Sequence, residues 1–418
     1  MLYRKIPKTE DTLSILGFGC MRLPQKFFRI DEKRATHQIH YSIDKGVNYF
    51  DTAMPYHMGA SEVFLGRALS NGLRKKVKIA TKLTSFYVKK HEDLDSVLTM
   101  QLDNLQTDYI DYYLLHSLAQ GVWNSLLAMD VLTFLDRAKM EGRIINAGFS
   151  FHGDRETFKE IVDAYDWDFC QIQYNILDET NQAGKKGLKY ASKKGLGIIV
   201  MEPLRGGALV TKVPPPVSSI WKEGGLFRTP VEGALRWIWN HPEVTCVLSG
   251  MNDEKHIEEN INIASEALPG SLNEKELKLI TRARDKFREL YKVDCTGCRY
   301  CMPCASGVDI PQSFEVSNNC HAFGRRFLDK LMGQLRLSGL GSDPGFPSLC
   351  TKCMECTEKC PQNLKIPDLL EGVSRDFEGR MTRLLGQFFT KLIGRQSKSI
   401  LRRAARVEKQ RHPRSSDS

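Results

Sequence analysis

Residues 47–83 read VNYFDTAMPYHMGASEVFLGRALSNGLRKKVKIATKL. Two short runs rich in β-branched and aromatic residues, VNYFDTA and VKIATKL, enclose a stretch, SEVFLGRALSNG, whose apolar residues recur at helical spacing. Strand, helix, strand is the unit from which parallel sheets are built. It recurs in both directions: SILGFGC precedes it behind a short N-terminal hairpin, and YIDYYLLH, IINAGFSF, DFCQIQYN, GIIVMEP and VTCVLSG follow. RATHQIHYSIDKG, SLLAMDVLTFLDRAKMEGR and TPVEGALRWIWN lie between strand runs and are long enough for crossover helices. An uninterrupted alternation of eight such units closes into a barrel. The open doubly wound sheet would carry a G-x-G-x-x-G turn after its first strand to hold a dinucleotide, and the chain has none. The pattern therefore predicts an α/β chain: a (β/α)8 TIM barrel, followed by a small, mainly helical second domain.

At 418 residues the chain has room for a barrel and a second unit. The helical run IEENINIASEAL ends the barrel pattern, and SLNEKELKLITRARDKFRELYK leads on to the cysteines. The expected division is 1–270 for the barrel, 271–375 for a linker helix and the cysteine-rich domain, and 376–418 for a basic amphipathic helix and disordered tail. Hydrophobic residues at 41% and charged residues at 26% are ordinary for a soluble protein. No apolar run approaches the roughly 20 residues of a membrane span, and the N-terminus lacks a basic and apolar leader. A cytoplasmic protein is expected.

The net charge of +10 is not evenly spread: from residue 380 onward the balance is +9. The rest of the chain is near neutral, which argues against a nucleic-acid partner. In the tail, Leu384, Leu385, Phe388, Phe389, Leu392 and Ile393 recur at helical spacing opposite Arg383, Lys391 and Arg395. This helix is read as docking on its own barrel, with peripheral contact to a membrane surface as the alternative. The long segment 204–228, with Gly206, Gly207, three successive prolines and Gly224, Gly225, is read as a lid over the barrel mouth.

Four polar residues fall at or just beyond the carboxyl ends of strand runs, where barrel active sites are built: Asp51, Tyr56, Lys82 and His116. Alone, each is an ordinary turn or surface residue. Together they supply what carbonyl reduction needs, because a hydride arriving at a carbonyl carbon leaves an alkoxide to be protonated. Tyr56 is placed as proton donor, Lys82 as the charge that lowers its pKa, Asp51 as the partner of Lys82, and neutral His116 as a donor to the carbonyl oxygen.

GFG near the start, NYFDTAMPY, ATKL, DYYLLH, NAGFSF, CQIQYN, VMEPL and SGM with the following EEN resemble blocks of the aldo/keto reductase family over roughly residues 1–265. The resemblance implies the same catalytic roles for Asp51, Tyr56, Lys82 and His116, and an extended NADPH or NADH across the barrel mouth. It places the nicotinamide amide near Ser150 and Gln171, with Met201 where many members stack a Tyr. It places the phosphates over 203–209, including Pro203, Leu204 and Gly206, and the adenosine end among Ser249, Gly250, Asn252, Glu259 and Asn260. Phe151 stands where many members have Asn, and His256 where a basic residue often holds a 2′-phosphate.

Of twelve cysteines, eight lie in two groups. Cys350, Cys353, Cys356 and Cys360, followed by Pro361, have the C-x-x-C-x-x-C-x-x-x-C-P spacing of bacterial-type ferredoxins. Cys295, Cys298, Cys301 and Cys304 repeat the tripod with a shorter last interval. Residues 271–375 are therefore expected to hold a linker helix and a small, mainly helical ferredoxin-type iron–sulfur domain with two [4Fe–4S] clusters. In two-cluster ferredoxins the fourth cysteine of each run binds the other cluster, so Cys304 would join Cys350, Cys353 and Cys356, and Cys360 would join Cys295, Cys298 and Cys301. A single cluster on the second group, with the first vestigial or zinc-bound, is the alternative.

A nicotinamide moves a hydride and a cubane moves one electron at a time, so the two couple only through an intermediary such as a flavin. Three function classes stay open: an NAD(P)H-dependent oxidoreductase reducing an aldehyde or ketone, a ferredoxin-linked electron-transfer oxidoreductase, and a non-catalytic redox-sensing or binding protein on a reductase scaffold.

Overall fold

The computed structural model describes residues 1–27, 29–211, 213–295, 297, 301–323, 327–338, 344–360 and 363–378, the side chains of 327–329 excepted. The basic tail, Cys298 and Pro361 lie outside the described residues. The chain divides into two compact units. The first comprises Met1–Val210 and Gly224–Ile280, and the second Thr211–Glu223 with the described residues from Thr281 onward.

In the first unit every one of the strand runs forms a strand: β1 (Leu16–Gly19), β2 (Tyr49–Asp51), β3 (Lys78–Leu83), β4 (Ile110–Leu118), β5 (Ile144–Phe151), β6 (Phe169–Gln173), β7 (Gly197–Met201) and β8 (Cys246–Ser249). All pair in parallel with their chain neighbours, and β8 returns to β1 through Val247 opposite Leu16 and Ser249 opposite Phe18, closing the barrel. Helices α1 (Glu32–Asp44), α2 (Ser61–Ala68), α3 (Glu92–Leu105), α4 (Gln120–Leu127), α5 (Val131–Met140), α6 (Arg155–Ala164) and α7 (Gly184–Lys193) follow in turn. Within 204–228 lies α8 (Pro215–Lys222), followed by α9 (Pro230–Trp239), α10 (Glu254–Ala264) and α11 (Glu274–Glu289).

The helix starts are written locally. Asp31, Asp154 and Thr229 each accept a backbone N–H of the first turn of α1, α6 and α9, and Pro230 opens α9 where its missing N–H costs nothing. The helical run 125–143 breaks at Asp130, which adopts φ 55°. An Asp tolerates this left-handed conformation better than most residues.

Side chains alternate across a strand, so one parity of each barrel strand faces inward. Tyr49, Ala80, Tyr112, Leu114, Phe169, Ile199, Cys246 and Leu248 form that interior, joined by Ile6 and Leu13 from the N-terminal hairpin. Gly148 is the small member: a Cβ there would stand 2.5 Å from the ring of Phe169. The interior is filled with side chains in layers, which leaves the open chemistry to the strand ends.

The second unit centres on α12 (Ile310–Phe323), α13 (Phe327–Leu337), the single turn α14 (Glu355–Glu358) and α15 (Ile366–Phe377). Its core gathers Val293, Val308, Ile310, Phe314, Val316, Ile366, Leu370, Val373 and Phe377, with Cys320 and Cys356. Asn318 of α12 accepts the N–H groups of Lys292 and Val293 and donates to the Val293 carbonyl, fixing the backbone just before Cys295. Among the described residues no helix is long and apolar enough to cross a membrane.

Candidate functional site

The inward parity of the barrel continues upward to its mouth. One period above Tyr49 comes Asp51, above Ala80 comes Lys82, and above Leu114 comes His116; β5 and β6 bring Ser150 opposite Gln171 in register. Lys82 Nζ donates to Asp51 Oδ1 at 2.6 Å, to Asp51 Oδ2 at 2.7 Å and to the Thr52 carbonyl at 2.7 Å. Tyr56 arrives from the turn after β2, where His57 and Met58 take left-handed φ of 51° and 56°. Its ring lies 5.1 Å from Lys82 Nζ and packs edge-on to His116 at 6.4 Å between centroids. The four residues picked out in the sequence are therefore brought together.

Burial sets their charge states. It opposes a proton on Lys82, which is 1% exposed, but Asp51 and then Tyr56 outweigh it and hold the ammonium pKa above its ordinary value. Burial also pushes the Asp51 carboxyl up, with Lys82 pulling it back; three oxygen partners around Nζ make the pair ionised. His116 is held well below its usual value by burial, then by Lys82 and His152, so its imidazole is neutral. Tyr56 corrects the expectation from sequence. Lys82 does pull its phenol down, but burial pushes it up by more, and the net shift is upward.

The remaining candidates spread around the same mouth. Ser150 Oγ accepts the N–H of Ser117 at 2.7 Å. Gln171 donates through Nε2 to the Met201 sulfur at 3.6 Å, while its Oε1, buried, has no hydrogen-bond partner among the described residues. A buried amide oxygen without a donor is costly unless something brings one, and a carboxamide N–H has that chemistry. Pro203 is buried, Leu204 half-buried and Gly206 exposed at φ 66°, and Arg205 is tied to Asp178 at 3.3 Å. Ser249 accepts from Asn260 at 2.9 Å, Glu259 accepts from Thr229 at 2.7 Å, and Gly250 and Asn252 are exposed.

Two residues escaped the sequence reading. Arg22, just past β1, runs beside both outer loops: a Cβ on Gly206 would stand 2.6 Å from its Nη2, and one on Gly250 3.0 Å from its Cδ. Thr84 lies one period beyond Lys82, and its hydroxyl meets His116 Nδ1 at 2.9 Å. The alternation that singles out Lys82 points to Thr84 as well.

In the second unit, Cys301, Cys304, Cys350, Cys353 and Cys356 line one shallow depression, with Ile310, Pro367 and Leu370 as its apolar wall. Burial raises the Cys356 thiol, and Cys350, Cys304 and Cys353 push it the same way. Cys295 and Cys360 pack with the same core. Gly297 donates its N–H to the Cys295 sulfur at 3.5 Å, and Lys352 and Met354 take positive φ of 59° and 69° in the turns between the cysteines of the second group. No described cysteine is in a disulfide. Among the described residues no three His, Cys, Asp or Glu side chains stand close enough to hold a single metal ion. Five of the cysteines instead line one depression together, a soft donor set suited to a cluster.

Comparison with known proteins agrees. Residues 15–284 match the model of the aldo/keto reductase family, and residues 294–364 match the 4Fe-4S dicluster domain. Probable aldo-keto reductase 1 of Glycine max is 26% identical over 306 residues, covering 65% of this chain and 85% of that protein. The NADH-specific methylglyoxal reductase of Escherichia coli is 24% identical over 305 residues, with coverage of 62% and 92%. Among solved structures, the holo form of aldo-keto reductase AKR11C1 from Bacillus halodurans superposes with a TM-score of 0.58 at 25% identity, covering 68% of this chain and 96% of its own. These relatives are nearly whole within the barrel, and the family model spans most of this chain. The chain belongs to the aldo/keto reductase family, extended beyond its barrel by a 4Fe-4S dicluster domain.

Proposed function

We propose that the chain is an NAD(P)H-dependent oxidoreductase that reduces an aldehyde or ketone, with Tyr56 as proton donor and two [4Fe–4S] clusters in the second unit. The observation that carries this is the convergence of an ionised Asp51–Lys82 pair, a protonated Tyr56 and a neutral His116 on one barrel mouth. NAD(P)H supplies a hydride when bound, and the clusters supply single electrons.

The chain's own residues do the rest. His116, uncharged, donates a hydrogen bond to the substrate carbonyl and fixes its orientation. Tyr56 gives its proton to the oxygen as negative charge develops there, and the Lys82 ammonium stabilises the phenolate left behind. Asp51 keeps Lys82 charged and aimed. Ser150 and Gln171 would hold the nicotinamide carboxamide, with Met201 beside them. Pro203, Leu204, Gly206 and Arg22 would meet the phosphates, and Ser249, Gly250, Asn252, Glu259 and Asn260 the adenosine end. A relative named as a methylglyoxal reductase supports a small carbonyl substrate.

Cys304 with Cys350, Cys353 and Cys356 would hold one cluster, and Cys295, Cys298 and Cys301 with Cys360 the other. Cys353 is exposed, which favours exchange of electrons with a one-electron carrier such as ferredoxin. The deciding experiment is Tyr56→Phe, assayed anaerobically with NADPH or NADH and a panel of aldehydes and ketones. Turnover should fall about 10²- to 10⁴-fold with nicotinamide affinity retained. Unchanged turnover would remove Tyr56 as the donor.

A further inference from the structure

A neutral imidazole carries one N–H, and which nitrogen holds it decides whether His116 can donate to anything at the barrel mouth. Thr84 Oγ1 lies 2.9 Å from His116 Nδ1. The contact follows from register. Leu83 pairs with Leu115, so Thr84 and His116 come next along neighbouring strands, on the face that also carries Lys82 and Leu114. Thr84 is 3% exposed, and its branched Cβ restricts the hydroxyl to few directions.

We infer that Thr84 is a positioning residue that fixes His116 as the Nε2–H tautomer by donating its hydroxyl hydrogen to Nδ1. This rests on the proposed role of His116 as the hydrogen-bond donor to a carbonyl. The direction follows from satisfying both groups. A threonine hydroxyl and a histidine nitrogen at this distance can share a proton either way. Were Nδ1–H to donate, the hydroxyl's own hydrogen would sit buried with no acceptor, since Nδ1 is its hydrogen-bond partner among the described residues. Donation by Thr84 satisfies the hydroxyl and Nδ1 together, and leaves Nε2 protonated as the nitrogen available to a substrate. The reverse tautomer would present a bare Nε2, an acceptor, to a carbonyl oxygen that also only accepts.

The test reads the tautomer directly. Holoprotein labelled with ¹⁵N-histidine is examined by two-bond ¹H–¹⁵N correlation at pH 8, the His116 signals being assigned by their loss in His116→Asn. In the native chain and in Thr84→Ser, Nδ1 should be unprotonated and Nε2 protonated. In Thr84→Val the pattern should move toward an average of the two forms, with kcat for carbonyl reduction falling about tenfold, KM little changed, and serine restoring both. Protonated Nδ1 in the native chain, or an unaltered pattern in Thr84→Val, overturns the inference. Because the spectrum needs no substrate, a fixed tautomer in a chain that reduces no carbonyl would uphold the inference while overturning the proposed function.

Discussion

Lys82 holds Asp51 by both carboxylate oxygens, at 2.6 and 2.7 Å, inside a barrel mouth where the two side chains are 1% and 4% exposed. Such a pair is weak proof of stability, since removing two charges from water costs about what their attraction returns. Its value lies in keeping an ammonium where water is scarce.

Breaking one side is a different matter from removing both. Asp51→Ala should destabilise the barrel by about 3–5 kcal/mol, because it strands a buried charge, whereas Asp51→Leu with Lys82→Met should be less destabilised than Asp51→Ala. Both variants should be inactive. Urea unfolding followed by tryptophan fluorescence measures this, and a loss under about 1 kcal/mol in Asp51→Ala would mean that Lys82 is not held as an ion.

Gln171 offers the opposite case. Among the described residues its Oε1 is buried without a hydrogen-bond partner and Nε2 meets only the weak acceptor of Met201, so little stability is at stake. Gln171→Leu should leave the unfolding midpoint nearly unchanged while weakening NAD(P)H binding about tenfold, the worth of one good hydrogen bond to a bound group. Nicotinamide fluorescence titration reads the affinity. Equal affinity in the variant would show that the carboxamide lies elsewhere.

His116 should make the barrel acid-sensitive. Its pKa in the folded chain is held well below 6.5, first by burial and then by Lys82 and His152, while the unfolded chain titrates near 6.5. As pH falls below 6.5 the unfolded state takes up a proton that the folded state refuses, so stability drops, by at most about 1.4 kcal/mol per pH unit for this residue. Above 6.5 it contributes nothing to the slope. His57 and His241 are shifted the same way, so the measurement is the difference between the native chain and His116→Asn across pH 5 to 8. Parallel profiles would contradict a neutral His116.

Cys304 tests how the iron is shared. It lines the same depression as Cys350, Cys353 and Cys356, although it and Cys301, also in the lining, belong to the other sequence group. Cys304→Ala should lose about half of the iron and acid-labile sulfide, and adding Cys350→Ala should cost no more, since both would serve one cluster. Additive losses would mean that each sequence group binds its own cluster.

The barrel strands were legible because each is buried on both faces, leaving short apolar runs that stand out between polar helices. Asp51, Lys82 and His116 were legible for the related reason that polar residues ending such runs have no place in the packed interior. The break at Asp130 was not, because the amphipathic spacing continues through it and only the backbone dihedral interrupts the helix. Nor was the upward shift of Tyr56: sequence names Lys82 as its neighbour, but the desolvation that outweighs Lys82 depends on how the turn at His57 and Met58 seats the half-buried ring. Arg22 was missed because its contacts with the Gly206 and Gly250 loops join segments far apart in the chain.

Closure of the barrel by β8 against β1 sets an order of events during synthesis. Until Cys246–Ser249 leaves the ribosome, Leu16–Gly19 waits with one edge unpaired, and an open sheet edge is where nascent chains stick to one another. The eight clustered cysteines come later still, so the barrel can seal before any iron is handled. A truncation ahead of β8 would leave both edges bare and is expected to precipitate, whereas a truncation after α11 would part with the iron sites and keep a closed barrel.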